Sequence, residues 1–225
     1  MNLKFIERRD FYVYVFIGLY IVNFAITHFV PQLYFKTILI DTIFLFLGLY
    51  LMPKPIKNSQ KDMGSFVILA LISAIFFVFS TSILIMFFKT GNTHFTNGKI
   101  FLNIIFLATL PAISEEFFFR GYLLEKTRYL GRSKSYILNS LLFSVIHFNI
   151  LQFPIIFIVS LWNCYLYDLS KNIKIPIIFH LAFNLLVVLI SNTNFKVSPM
   201  TVFIISTLTV FPVIWILFKK NKVEK

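Results

Sequence analysis

Eight apolar runs, separated by short polar or basic stretches, decide what this chain can fold into. They fall at roughly 11–30, 34–52, 65–88, 100–119, 136–149, 153–170, 175–191 and 200–218. An α-helix needs about 20 mostly apolar residues to cross the hydrocarbon core of a bilayer. Inside that core the backbone polar groups must be satisfied within the segment itself, which favours helices. The expected fold is all-α: a polytopic integral membrane protein with about eight transmembrane helices, one membrane domain over residues 1–225. The fifth run is the shortest, at about 14 residues, and either gains a turn at its cytoplasmic end or does not cross fully.

Composition excludes most alternatives. Only 13% of the residues are charged, against about 25% in ordinary soluble domains. The single cysteine, Cys164, rules out an intrachain disulfide and a cysteine-rich metal site. Lys4, Arg8 and Arg9 precede the first run in the manner of a signal peptide. That run, however, exceeds the roughly 7–15 residues of a cleavable segment and ends in His28-Phe29-Val30-Pro31 rather than at small residues, so it reads as a retained span.

The net charge of +12 would suit nucleic acid if it covered one soluble face. Instead the basic residues lie between the apolar runs. With eight spans, 17 of the 21 lysines and arginines fall on one side, and only Lys36, Lys89, Lys99 and Lys196 on the other. The positive-inside rule then predicts that both termini are cytoplasmic, with anionic lipid and not nucleic acid as the partner of this charge.

Ionisable residues within the runs are the candidates for chemistry, because each is costly there unless paired or used. Ser114-Glu115-Glu116-Phe117-Phe118-Phe119-Arg120-Gly121 puts two carboxylates and an arginine in the fourth run. Residues four apart are helix neighbours, so Glu116 and Arg120 are expected to pair. Glu115 lies about 100° around the helix and faces a different neighbour. One carboxylate is thus neutralised and the other left to act as a general base. Taken alone, the three charges equally fit an interfacial cluster. The fifth run carries Phe143-x-x-x-His147 and the seventh His180-x-x-x-Asn184. His180 and Asn184, one turn apart, suit a pair of oxyanion donors. Each spacing has an innocent reading as an interhelical hydrogen bond, but three in order make that reading weaker.

Glu115-Glu116-x-x-x-Arg120, Phe143-x-x-x-His147 and His180-x-x-x-Asn184 together resemble the three-motif signature of the CAAX-protease and bacteriocin-processing family, also called the Abi family, which includes the Ras-converting prenyl-protein endopeptidases. The likeness covers about residues 100–190, the expected catalytic core. It implies an intramembrane endopeptidase acting on a peptide or lipidated substrate near the cytoplasmic face. In bacteria the family is associated with bacteriocin maturation, self-immunity and peptide-signal processing. Carried over, Glu115 and His147 activate water, His180 and Asn184 stabilise the oxyanion, and Glu116 and Arg120 support the site. No cofactor is expected. Glu115, His147 and His180 could ligate zinc as two histidines and a carboxylate, but HExxH is absent and Asn184 beside His180 favours a metal-free mechanism. The alternative from another class is a non-proteolytic immunity or scaffold protein that binds a partner.

Depth raises one difficulty. Counted from Lys134, His147 lies roughly 18 Å into the membrane, deeper than Glu115 counted from Arg120. The fifth helix is therefore expected to begin before Tyr136, near Thr127 to Arg132. Asp41 is expected to pair with a polar group of a neighbouring helix. Tyr167 and Asp168 are expected at the interface, Asn163 within reach of the site, and Pro111 to loosen the fourth helix.

Overall fold

The computed structural model describes residues 11–53, 63–88 and 99–192. Among these residues the chain is helical, without strands: α1 (Phe11–Phe29), α2 (Leu33–Leu51), α3 (Met63–Phe88), α4 (Ile100–Leu130), α5 (Arg132–Val145), α6 (Phe153–Ser170) and α7 (Lys174–Asn192). Six of these, all but α5, are long and apolar enough to cross a membrane. The expected count of about eight is thus reached only in part. The run at 200–218, the basic N-terminus and tail, and most of both long loops lie outside the described residues. The fifth run forms α5, a helix of 14 residues, which is shorter than a full span.

The fourth helix differs most from expectation. Residues 120–130 were expected as a basic loop, yet α4 continues to Leu130. Arg120 is fully buried and does not mark an interface. The reason is that its charge is met internally, as described below, so the helix has no need to end there. Two stretches of α4, Ile104–Thr109 and Phe117–Leu124, are π-helical. Pro111, which has no amide hydrogen to give, sits just after the first of them. This is where loosening was expected.

Gly131, with φ of 87°, makes the corner between α4 and α5, and its missing Cβ allows that turn. α5 starts at Arg132, inside the expected window. Glu115 and His147 are then each about fifteen residues, or about 22 Å, from this shared corner. The difficulty over depth came from taking Arg120 as the interface, and it disappears.

Ion pairs lock the helix ends near the corner. Arg128, Lys171 and the Tyr136 hydroxyl all donate to the Asp168 carboxylate, and Arg132 lies 3.6 Å from it. Arg128 also pairs with Glu125. Asp168 is therefore buried within a cationic cluster, which brings the basic segments around 125–134 and 171–174 to one end of the bundle.

Two apolar clusters hold the helices together. One joins Tyr12, Phe16 and Leu19 of α1, Phe44 of α2, Phe118, Phe119 and Tyr122 of α4, and Phe143 of α5. The other joins Leu69, Ala70 and Ala74 of α3 to Leu166 of α6 and to Ile175 and Phe179 of α7. Small residues permit close helix approach where lipid offers no hydrophobic drive. The tightest approach is at Gly48, where an added Cβ would meet the Phe117 backbone carbon at 2.8 Å. Gly48→Ala must push α2 away from the segment carrying the two glutamates. It should destabilise the protein by about 1–3 kcal/mol, read as earlier unfolding in detergent. An unchanged transition would contradict this packing.

Candidate active site

The site forms where α4, α5 and α7 meet, with α6 behind them. Glu116 is its hub. One carboxylate oxygen, Oε1, accepts from Arg120 Nη1 at 2.9 Å and from His180 Nδ1 at 2.8 Å. Glu116 and Arg120 are both fully buried. Arg120 also donates through Nη2 to the Ser160 carbonyl at 3.0 Å and to the Ser160 hydroxyl at 2.7 Å. Its guanidinium lies 4.8 Å from the centre of the Phe143 ring, a cation–π contact of the kind that strengthens on desolvation. The expected pairing of Glu116 with Arg120 is present, and the same oxygen ties the first motif to the third.

Glu115 stands apart from this network. It accepts no hydrogen bond among the described residues; its Oε2 is buried and unpartnered, as is Glu116 Oε2, and His180 Nε2 lies 3.9 Å from Glu115 Oε2. The Glu115 side chain keeps 12% exposure against 0% for Glu116. Two adjacent residues therefore end in different environments, as their separation around the helix requires. The preceding residue, Ser114, donates to Asp41 of α2. This is the neighbouring-helix partner expected for Asp41, and it anchors the glutamate pair from the second helix.

His147 follows the last turn of α5 and is exposed. Its Nδ1 donates to the Phe143 carbonyl at 2.8 Å, which fixes the tautomer and leaves the lone pair on Nε2. The Phe143 ring lies between the two histidines, its centroid 4.9 Å from that of His147 and 6.0 Å from that of His180. Phe143 thus links His147 to His180, and among the described residues His147 and Glu115 share no hydrogen bond.

His180 and Asn184 both lie on α7, but they differ from the expected donor pair. The His180 Nδ1 hydrogen is committed to Glu116, so Nε2 donates only when the ring carries both hydrogens. Asn184 is half-buried, and its amide makes no hydrogen bond among the described residues. The amide is free to donate. Asn163 does not reach the site as expected: its Nδ2 donates to the Pro176 carbonyl at 3.3 Å, stitching α6 to the start of α7. Ser160 and Asp41's partner Ser114 were not singled out in the sequence, where nothing distinguishes them from other serines in apolar helices. Among the described residues no three His, Cys, Asp or Glu side chains converge closely enough to hold a metal ion. The zinc set of Glu115, His147 and His180 is not brought together as a ligand shell, and no step is assigned to a metal.

Residues 97–186 match the family model described as Type II CAAX prenyl endopeptidase Rce1-like. No curated protein matches the chain, and no solved structure does. The match spans α4 to α7 as far as His180 and Asn184, and so takes in Glu115, Glu116, Arg120, His147, His180 and Asn184 but not Asp41 of α2. That family is one of membrane proteases. The segment that builds the site is thus similar to the Rce1-like CAAX prenyl endopeptidases, in line with the resemblance carried by the three motifs.

Proposed function

We propose that the chain is an intramembrane endopeptidase that hydrolyses a peptide bond of a membrane-associated peptide or lipidated substrate, with Glu115 as the general base. One observation carries this reading: of two adjacent glutamates, Glu116 accepts hydrogen bonds from Arg120 and His180 through Oε1, while Glu115 accepts none among the described residues. A carboxylate left without a donor beside a paired one is a poor structural element and a good proton acceptor.

In the reaction, water lies between Glu115 and the Nε2 lone pair of His147. Glu115 takes one proton as the water oxygen attacks the scissile carbonyl. The oxyanion that forms is met by the free amide of Asn184, joined by His180 Nε2 when that ring is doubly protonated. The proton then passes from Glu115 to the leaving amine, which restores the base. Glu116 and Arg120 hold His180 and the helix pair in place. No metal or other cofactor takes part.

The basic ends of α4, α5 and α6 face the cytoplasm in this reading, with both termini on the same side, eight spans in one membrane domain and substrate cut within the membrane, about 22 Å from that basic corner. A role in bacteriocin maturation or immunity follows from the family likeness alone. The purified protein in vesicles should cleave a peptide substrate with and without chelator, and Glu115→Ala and His147→Ala should each abolish cleavage. Immunity or partner binding that survives both substitutions would instead establish the non-proteolytic scaffold. Cleavage lost to chelator and restored by zinc would overturn the metal-free mechanism.

A further inference from the structure

The turn that carries His147 is gripped by a helix that lies outside the segment matched to the family. After α5 ends at Val145, the chain turns through Ile146, His147 and Phe148 before α6 begins. Asn23 of α1, itself buried, donates from Nδ2 to the Ile146 carbonyl at 2.9 Å. Phe148, with φ of 50°, adopts the left-handed conformation that bulky residues avoid. Its ring packs on Tyr20 and Phe24 of α1, at 5.1 and 5.7 Å between centroids. The residues on both sides of His147 are thus fixed by one face of α1, one by a hydrogen bond and the other by ring packing. Thr27 Oγ1 donates to Asn23 Oδ1 at 3.3 Å, which orients the amide with its nitrogen toward the turn.

This grip has a chemical purpose that packing alone does not need. The Ile146 carbonyl lies beyond the regular hydrogen bonding of α5, and in an apolar surrounding it requires a donor. Many groups could provide one. Here the donor is held on the helix that also sets the backbone of Phe148, so His147 Nε2 is held from both sides of its own residue. Resting on the reading of His147 as part of the water-activating pair, we propose that Asn23 is a positioning residue: through the Ile146 carbonyl it holds His147 in register with Glu115. α1 is then part of the catalytic apparatus.

Two measurements on the full chain in phosphatidylcholine–phosphatidylglycerol vesicles test this. The first is turnover of a peptide substrate. Asn23→Ala should lower kcat by about 10-fold to 100-fold with little change in KM, since misplacing a catalytic group by an ångström has effects of that order. Asn23→Gln, which keeps an amide donor, should recover part of the loss. The second is the rate of diethyl pyrocarbonate modification at His147, resolved by mass spectrometry against exposed His28 in the same molecule. Releasing the turn frees Nδ1 from the Phe143 carbonyl as well, so Asn23→Ala should raise the His147 rate relative to His28. If Asn23→Ala does not fold, Tyr20→Leu, which removes the ring beneath Phe148, should produce the same two changes. Unaltered kcat and an unaltered His147 rate in a folded Asn23 or Tyr20 variant would overturn the proposal. Should the wild-type protein cleave nothing, the protease reading fails, and the modification rates still decide whether Asn23 holds His147.

Discussion

Glu115→Gln should reduce peptide cleavage by about 10²-fold to 10⁴-fold, the range expected when a general base is removed. Glutamine is close in shape, and the carboxylate it replaces makes little structural contact: Oε2 has no hydrogen-bond partner and His180 Nε2 is 3.9 Å away. The variant should therefore unfold at the wild-type temperature and bind substrate with a similar KM. The loss should appear in kcat, because the missing interaction is one made as the water proton is transferred. Initial rates in vesicles and a thermal melt in detergent separate the two effects. Retained turnover in a folded Glu115→Gln protein would remove Glu115 from the chemistry.

Arg120→Met should have the opposite signature, a large structural loss. Arg120 pairs with Glu116 Oε1, binds both the carbonyl and the hydroxyl of Ser160, and lies over the Phe143 ring. Removing one partner of a buried ion pair typically costs about 3–5 kcal/mol, because the remaining charge is stranded. Glu116 would keep only His180, and α6 would keep only the Arg128–Asp168 pair, at its far end, as a polar tie to α4. The expected observation is early unfolding, with activity falling in proportion to the folded fraction. Adding Glu116→Gln to Arg120→Met should recover part of the stability, since no charge is then stranded. If Arg120→Met alone unfolds like the wild type, the pair does not hold the site together.

What could be read in the sequence was what depends on neighbours along the chain. The pairing of Glu116 with Arg120 follows from their spacing of one turn, and the start of α5 near Arg132 followed from depth. The apolar runs gave the positions of α1, α2, α6 and α7 closely, because run length is a local property. The end of α4 was not legible. Arg120, Lys126 and Arg128 look like a loop to a rule that treats charge as solvated, and only Ser160, forty residues on, explains why Arg120 remains inside. The same limit applies to His180. Its spacing to Asn184 suggested a shared task, yet its direct partner is Glu116 on another helix. Asn23 and Asp41 act across still greater distances in the chain, through Ile146 and Ser114. Asp41 is marked by its charge within an apolar run, but its partner is not, and nothing in the immediate surroundings of Asn23 marks it.

The length of α5 has a consequence for the membrane around it. Its 14 residues extend about 21 Å, whereas the hydrocarbon core is roughly 30 Å thick. The chain then turns back through Asn149, whose side chain caps the amides of Leu151 and Gln152. The turn that α1 holds therefore lies within the depth of the hydrocarbon core rather than at its far surface. Bilayer thickness thereby bears on the candidate site: thin lipid matches α5, and thick lipid strains against the turn that carries His147.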